Sequence, residues 1–291
     1  MNKAQVKRIL KRLFDFRPVR NVTINVTALP QNQLLKSRCA IVTGGTSGIG
    51  YAIAEAFLKA GASVIITGRT KSRLDATIEK LKKTIDNALV LGIELDNTRV
   101  GSFEGVFQDM LAKVNTKGIP AIDILVNNAG VNFKGMPNVV ESEYDLVLDT
   151  NLKGAFFLSQ MFGKYMVANK IKGNILNIAS ASSLRPADSA YTLSKWGLRG
   201  LTLGLAKALG KDGITVNGIA PGPTATPMML KSGNINMSLD RILLGRYIMQ
   251  EEISNIAVIL DSDMGRSVMG DIKYMTGGAG ILTYDDVNYS F

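Results

Sequence analysis

The sequence of 291 residues contains no histidine and a single cysteine, Cys39. One cysteine cannot form a disulfide within the chain, and its position in an apolar run predicts a buried, unreactive thiol. Histidine and cysteine are also the usual ligands of zinc and the usual groups of thiol catalysis. The composition therefore argues against a disulfide framework, a zinc site and a thiol mechanism, and no metal site is expected.

The sequence also lacks internal repeats, low-complexity tracts and interdomain linkers. Apolar residues make up 46% of the chain, and the mean hydropathy is +0.13. Such a chain can bury a full core, and its composition is typical of neither a disordered nor a membrane-spanning protein. One α/β domain is expected.

The basic charge is concentrated at one end of the chain. The formal net charge of the chain is +10. Residues 1–38 contain nine Lys and Arg and one Asp, a net charge of +8, so residues 39–291 carry a net charge of +2. Helical spacing is found there in the apolar residues Val6, Ile9, Leu10, Leu13 and Phe14. This pattern predicts a basic amphipathic extension over residues 1–36.

Three uses of the extension are open. It can pack on its own domain or on a neighbouring subunit, with residues 22–27 adding a short strand. It can make a peripheral contact with an anionic membrane surface, or be a presequence that is removed. Nucleic-acid binding is not expected, because few aromatic residues accompany the charges.

Continuous apolar runs alternate with amphipathic stretches, which is typical of a parallel sheet covered by helices. The expected strands are residues 39–43, 63–67, 88–94, 122–126, 173–179, 214–219 and 271–275. The expected helices are residues 49–60, 71–84, 98–114, 142–169, 190–210 and 250–261. The order predicts a doubly wound (Rossmann) three-layer α/β fold with a seven-stranded parallel sheet.

A glycine-rich segment joins the first predicted strand to the first predicted helix. Residues 43–50 read Thr-Gly-Gly-Thr-Ser-Gly-Ile-Gly. A glycine turn at such a junction brings backbone N–H groups and the positive end of a helix against a pyrophosphate. A nucleotide is therefore expected at this turn.

A tyrosine and a lysine give the most informative chemical signal. Tyr191 and Lys195 are four residues apart in a predicted helix and so lie on the same face. An ammonium beside the phenol is expected to lower the pKa of Tyr191 toward the operating pH, where a general acid or base works best. This chemistry suits a carbonyl or an alcohol.

Five segments, taken in order, resemble the short-chain dehydrogenase/reductase family in its compact single-domain form. They are residues 43–50, Asn127-Asn-Ala-Gly130, Asn151 in Asn-Leu-Lys-Gly, Ser180 ahead of Tyr191-x-x-x-Lys195, and Pro221-Gly222 followed by Thr226. The resemblance covers about residues 37 to 280 and includes similarity to 3-oxoacyl-(acyl-carrier-protein) reductases. It implies one catalytic domain over residues 37–291, with a substrate lid at residues 226–242.

The resemblance implies roles for four residues. Tyr191 would exchange a proton with the substrate oxygen, and Ser180 would donate to the same oxygen. Lys195 would bind the nicotinamide ribose and lower the pKa of Tyr191, while Asn151 would hold a water that links Lys195 to solvent.

The choice of serine leaves two alternatives, because Ser182 and Ser183 lie close behind Ser180. The separation between Ser180 and Tyr191 is also slightly shorter than is usual in the family. Counting along the strand before Ser180 favours Ser180.

The resemblance further implies a nicotinamide nucleotide. The expected cofactor-binding residues are Gly44, Thr46, Ser47, Gly48, Ile49, Gly50, Arg69, Asp96, Asn127, Ala129, Gly130, Tyr191, Lys195, Pro221, Gly222, Thr224 and Thr226. A carboxylate at the end of the second strand would accept a hydrogen bond from the ribose 2′-OH of NAD(H). Gly68-Arg69 places a guanidinium there instead, which favours a phosphate. NADP(H) is therefore expected over NAD(H). Asp96 is expected beside the adenine, as a helix N-cap, or as both.

The substrate is less well defined. The predicted lid contains the apolar residues Met228, Met229, Leu230, Ile235 and Met237. These residues predict an adaptable wall for a lipophilic or acyl ketone, or are ordinary core residues. Arg185, shortly after Ser180, either pairs with an acidic substrate group or faces solvent.

The favoured hypothesis is a cytoplasmic NAD(P)H-dependent oxidoreductase that acts on a small-molecule ketone or secondary alcohol. By resemblance it assembles as a homo-oligomer, a tetramer or a dimer, through helices 98–114 and 142–169. The alternatives are a cofactor-binding sensor or scaffold without turnover, and an epimerase or dehydratase on a nucleotide sugar. The complete catalytic set argues against the sensor, and the glycine spacing argues against the sugar enzyme.

Overall fold

The computed structural model describes residues 33–119, 121–226, 239 and 242–280. Three expectations lie outside the described residues: the amphipathic helix of the extension, the strand at residues 22–27 and the apolar wall of the lid. The packed core includes Leu35, which is fully buried and donates its backbone N–H to the carbonyl of Ala60 at 2.9 Å. Leu35, and Leu34 beside it, therefore pack with the core although they precede residue 37.

Seven parallel strands form one sheet in the order β3-β2-β1-β4-β5-β6-β7. The strands are β1 (Cys39–Val42), β2 (Ser63–Gly68), β3 (Val90–Glu94), β4 (Ile124–Asn127), β5 (Asn174–Ile178), β6 (Thr215–Pro221) and β7 (Ile272–Met275). The predicted seven-stranded doubly wound sheet is confirmed. The strand order reverses between β1 and β4, and open α/β sheets bind ligands at such a switch point, beyond the carboxyl ends of the strands.

Helices cover both faces of the sheet. They are α1 (Gly48–Lys59), α2 (Lys71–Thr84), α3 (Phe103–Thr116), α4 (Glu141–Leu148), α5 (Gly154–Ala168), α6 (Ala190–Leu209) and α7 (Gln250–Asp261). Alternation along β1 assigns its side chains to two cores, since successive residues of a strand face opposite sides. Ala40 and Val42 pack with α1, α2 and α7, whereas Cys39 and Ile41 pack with α3, α5 and α6.

Two predicted helices differ from the structure. The helix predicted at 142–169 is interrupted by a π-helical turn, Asp149–Lys153, which separates α4 from α5. The helix predicted at 98–114 begins at Phe103, after a 3₁₀ turn at Val100–Ser102. The predicted role of Asp96 as a helix N-cap is therefore wrong, because α3 starts seven residues later.

The predicted burial of the Cys39 thiol is confirmed. Cys39 is buried, and burial together with the nearby Asp123 raises the pKa of its thiol to about 12. Within the described residues, no group of three or more Cys, Asp or Glu side chains is arranged to hold a metal ion. No described helix is long and apolar enough to cross a membrane.

The end of the sheet away from the switch-point cavity holds a charged cluster of two partly buried residues, Arg38 and Asp123, and the buried Asp261. The guanidinium of Arg38 donates to the carboxylate of Asp123, and the backbone N–H of Cys39 donates to the same carboxylate. Asp261, at the end of α7, is 2% exposed, and its Oδ2 has no hydrogen-bond partner among the described residues. Burial raises the pKa of Asp261 to about 8, Arg38 opposes this rise and Asp123 adds to it.

Candidate active site

A cavity of about 640 Å³ lies beyond the carboxyl ends of the strands on both sides of the switch point. All but two of the predicted cofactor-binding residues line it, the exceptions being Gly50 and Asn127. Ser180, Tyr191 and Lys195 line it as well. The fold therefore brings the glycine turn and three of the four predicted catalytic residues to one cavity.

The glycine turn has a backbone conformation that depends on its glycines. Gly44 and Gly48 have φ angles of +64° and +59°, in the region that favours glycine. A Cβ atom at Gly44 would lie 3.0 Å from the Cα of Ala129. Ser47 precedes α1, but its side chain makes no capping hydrogen bond to the first N–H groups of the helix. Those donors and the helix dipole are consequently left for an anion in the cavity.

Asn128 fixes this turn and was not among the predicted residues. Its Nδ2 donates to the carbonyl oxygens of Thr43 at 2.8 Å and of Gly44 at 3.3 Å. A Cβ atom at Gly50 would lie 2.3 Å from the same Nδ2. Gly50 therefore leaves the space that the Asn128 amide occupies beside the turn. The signal in the sequence is position, because Asn128 is the first residue after β4, where side chains reach the switch point.

Asn127, in contrast, lies in the core and not on the cavity wall. Its Nδ2 donates to Ser159 Oγ at 2.9 Å and to Asn177 Oδ1 at 2.8 Å. The Nδ2 of Asn177 in turn donates to Thr202 Oγ1 at 2.9 Å. The network ties β4 and β5 to α5 and α6 below the cavity. Asn127 thus supports the site from beneath and does not line the cavity.

The catalytic end of the cavity is formed by β5 and α6. Ser180 follows β5, and its Oγ accepts from the backbone N–H of Ser182 at 3.1 Å. Tyr191 and Lys195 lie one turn apart on α6, with the Nζ of Lys195 5.5 Å from the centre of the tyrosine ring. The Nζ of Lys195 donates to the carbonyl of Ile178, the last residue of β5, at 2.8 Å.

The arrangement distinguishes between the three serines. The hydroxyl of Ser180 interacts directly with the phenol of Tyr191 and lowers its pKa. Ser183 is buried, and its hydroxyl donates to the carbonyl of Ser180 at 2.8 Å, which stabilises the turn after β5. Ser182 lines the cavity without such an effect on Tyr191. Of the three serines, Ser180 is therefore the one whose hydroxyl hydrogen-bonds with the phenol of Tyr191.

The predicted direction of the tyrosine pKa shift is wrong. Burial raises the pKa of Tyr191, and the hydrogen bond with Ser180 only partly opposes this rise. Burial also lowers the pKa of Lys195 to about 8, because the charged ammonium is taken out of water. Burial thus sets the direction of the Tyr191 shift, and the cation of Lys195 is not among its causes. Tyr191 is thus held as a protonated phenol.

Asn151 lies in the π-helical turn and supports the wall beside these residues. Its side chain pairs with the backbone of Val131, accepting from the N–H at 2.8 Å and donating to the carbonyl at 2.9 Å. Its Nδ2 also lies 3.2 Å from Ser194 Oγ, next to Lys195 in the chain. The amide of Asn151 is therefore engaged by Val131 and by α6, and π-helical turns often mark functional positions of this kind.

The opposite end of the cavity lies at the end of β2. Arg69 and Arg73 line it with their guanidinium groups exposed, and Arg73 was not predicted. Asp96 lines it after β3, and its Oδ1 accepts from the N–H and the hydroxyl of Thr98 at 3.0 and 2.9 Å. β2 and β5 are three strand spacings apart, about 14 Å, which leaves room for an extended dinucleotide between the two ends.

The segment after β6 closes the cavity above the glycine turn. Pro221, Gly222, Thr224 and Thr226 all line it. Gly222 is required sterically, because a Cβ atom there would lie 2.8 Å from the Cα of Thr276. A Cβ at Gly48 would lie 3.7 Å from the side chain of Thr226, so the segment after β6 and the glycine turn face each other. The positive-φ glycines, the free helix donors and the two guanidiniums together suit a dinucleotide.

Comparison with known proteins places the chain in a family. The model of the family described as short chain dehydrogenase matches residues 38–235. The chain belongs to the short-chain dehydrogenase family. Oxidoreductases of this family use a nicotinamide nucleotide, NAD or NADP.

Individual short-chain dehydrogenases match most of the chain. A 3alpha-hydroxysteroid dehydrogenase from Mediterraneibacter gnavus is 36% identical, covering 84% of this chain and 98% of its own length. A 3-oxoacyl-(acyl-carrier-protein) reductase from Thermotoga maritima is 32% identical, covering 84% of this chain and 98% of its own length. The crystal structure of a putative gluconate dehydrogenase from Agrobacterium tumefaciens matches with a TM-score of 0.76 and 32% identity, over 85% of this chain and 98% of the other.

Proposed function

We propose that this protein is an NADP(H)-dependent oxidoreductase that transfers a hydride between the nicotinamide and a ketone or secondary alcohol. The observation that carries the proposal is the meeting of Ser180, Tyr191 and Lys195 at one end of the cavity whose other end holds Arg69. The nicotinamide supplies or accepts the hydride. The names of the hydroxysteroid dehydrogenase and the 3-oxoacyl reductase are consistent with chemistry at an alcohol or a carbonyl.

The protein residues would control the proton and the substrate oxygen. Tyr191 donates its phenolic proton to the oxygen as the carbonyl is reduced, and Ser180 donates a hydrogen bond to the same oxygen. The raised pKa of Tyr191 keeps the phenol protonated and so favours its use as an acid, in the direction of reduction. Lys195 would bind the nicotinamide ribose. Asn151 would contribute by holding the α6 side of the site, since its amide already bonds Val131 and Ser194.

The preference for NADP(H) rests on the charges at the end of β2. Arg69 and Arg73 are exposed on the cavity wall, and neither guanidinium is paired with a carboxylate among the described residues. Guanidinium groups bind phosphate through two parallel hydrogen bonds. These two guanidinium groups would therefore attract the 2′-phosphate of NADP(H). A carboxylate at the end of β2 would instead repel it.

Replacing Arg69 with Ala is expected to weaken NADPH binding by about 10- to 100-fold, because a charge-assisted pair with the 2′-phosphate is lost. NADH binding should change by less than about threefold, because NADH lacks that phosphate. The measurement is the dissociation constant of each nucleotide, followed by fluorescence. Arg99→Ala is the matched control, since Arg99 is an exposed arginine outside the cavity. Equal weakening of both nucleotides by Arg69→Ala would contradict the assignment of Arg69 to the phosphate.

We also propose that the protein forms a homo-oligomer through α5 and α6. These helices present a shallow apolar groove, and Phe156 and Val167 on its rim are 46% and 41% exposed. Exposed apolar surface of this kind commonly marks a contact between chains. Sedimentation of the purified protein should give the mass of two or four chains, and Val167→Asp should reduce it. A wild-type mass of one chain would refute the proposal.

A further inference from the structure

Arg185 is an exposed cation on the wall of the catalytic end of the cavity. The other cation at that end, Lys195, is buried and donates to the carbonyl of Ile178. Among the described residues, the guanidinium of Arg185 makes no hydrogen bond and no ion pair, and its bonds are all through its backbone. The charge of Arg185 is therefore available to a molecule that enters the cavity.

The backbone of Arg185 is held firmly next to the catalytic residues. Its N–H donates to the carbonyl of Ser182 at 3.1 Å, which ties it to the turn that starts at Ser180. Its carbonyl accepts from the Nε1 of Trp196 at 2.8 Å, and Trp196 follows Lys195 on α6. The base of the side chain is thus fixed relative to both Ser180 and Lys195, while the guanidinium is free to reach a ligand.

The surrounding wall is formed by two loops that are joined to each other. The backbone N–H of Met136 donates to the carbonyl of Asp188 at 2.9 Å, and a Cβ at Gly135 would lie 2.8 Å from the same oxygen. Phe133 lies on this wall and is 37% exposed. Asp188 also lines the cavity but forms no ion pair with Arg185. The wall therefore combines an unneutralised guanidinium with an apolar ring.

We propose that Arg185 binds an anionic group, a carboxylate or a phosphate, on a substrate that also carries an apolar part. The inference rests on the proposed function and specifies its substrate class. A guanidinium fork matches the geometry of both anions, and a hydrogen bond to an ionised group is stronger than one between neutral groups. Arg185 would act in binding and orientation, since the proton is supplied by Tyr191.

The test uses two matched pairs of carbonyl probes with the full chain and NADPH. The first pair is 3-oxobutanoate and its neutral ethyl ester. The second pair is 3-oxobutanoyl-coenzyme A and the neutral 3-oxobutanoyl thioester of N-acetylcysteamine. Arg185→Gln should raise the KM of an anionic probe by about 10- to 100-fold and leave kcat and the neutral partner within about threefold. Arg185→Lys, which keeps the charge but not the fork, should give an intermediate loss.

The pattern across the pairs identifies the anion. A loss confined to 3-oxobutanoate supports a carboxylate near the carbonyl, and a loss confined to the coenzyme A thioester supports a phosphate. Arg99→Gln removes an exposed arginine outside the cavity and should change none of the values. Equal effects of Arg185→Gln on charged and neutral probes would overturn the inference while leaving the proposed function intact. Absence of turnover with every probe, or of NADPH binding, would instead count against the proposed function and remove the basis of the inference.

Discussion

Replacing Tyr191 with Phe is expected to lower kcat by about 10²- to 10⁴-fold, the usual contribution of a positioned general acid. The variant loses only the phenolic hydroxyl, which supplies the proton and interacts with Ser180. The ring and its place one turn before Lys195 are kept. The dissociation constant of NADPH should therefore stay within about threefold of the wild-type value, and single-turnover oxidation of NADPH with a carbonyl substrate measures the loss.

Tyr144→Phe is the matched control for this experiment. Tyr144 is an exposed tyrosine on α4 and does not line the cavity. Its loss of a hydroxyl should leave kcat unchanged within error. Full turnover by Tyr191→Phe would show that another group supplies the proton, and the proposed mechanism would then be wrong.

Replacing Asp261 with Asn is expected to stabilise the protein at pH 8 by roughly 1–3 kcal/mol in the free energy of unfolding. Asp261 is buried with an unpartnered Oδ2, and its pKa is raised to about 8, chiefly by burial. An Asp in the unfolded chain titrates near 3.9. Between about pH 4 and pH 8 the folded protein therefore holds a proton that the unfolded chain has released, and stability falls as the pH rises.

The pH dependence separates this effect from a general change in packing. The gain from Asp261→Asn should grow as the pH rises to 8 and should disappear below about pH 3, where the carboxyl is protonated in both states. Denaturant unfolding at several pH values measures it. Asp263→Asn is the control, because that side chain is 72% exposed and its removal should change stability by less than about 0.5 kcal/mol. A destabilised Asp261→Asn at pH 8 would show that the carboxylate pairs favourably with Arg38.

The centre of the sheet could be predicted from the sequence because β1, β4, β5 and β6 are buried along their whole length. Continuous apolar runs such as residues 39–42 have few alternatives to a central parallel strand, and glycine turns mark where they end. The π-helical turn at Asp149–Lys153 could not be predicted in this way. It lies against Asn97, which is distant in sequence, and a Cβ at Gly154 would lie 2.7 Å from the Asn97 carbonyl. Contacts of this kind are not encoded in local periodicity.

The candidate site shows the same division between local and tertiary information. The four-residue spacing of Tyr191 and Lys195 fixes their common face, so their proximity could be predicted. The direction of the Tyr191 pKa shift depends on burial, which spacing does not give. The two asparagines 127 and 128 are adjacent in the sequence but face different partners. Asn127 ends β4 and bonds to Asn177 in the core, whereas Asn128 follows the strand and bonds to the glycine turn, and these partners come from distant parts of the sequence.

The most direct test of the proposed function is a paired titration of the purified chain with NADPH and NADH, followed by oxidation of the nucleotide with a panel of ketones. We expect NADPH to bind at least about tenfold more tightly than NADH, because of its 2′-phosphate, and to be oxidised by at least one ketone. Failure of both nucleotides to bind would contradict the assignment of the glycine turn and, with it, the proposed function.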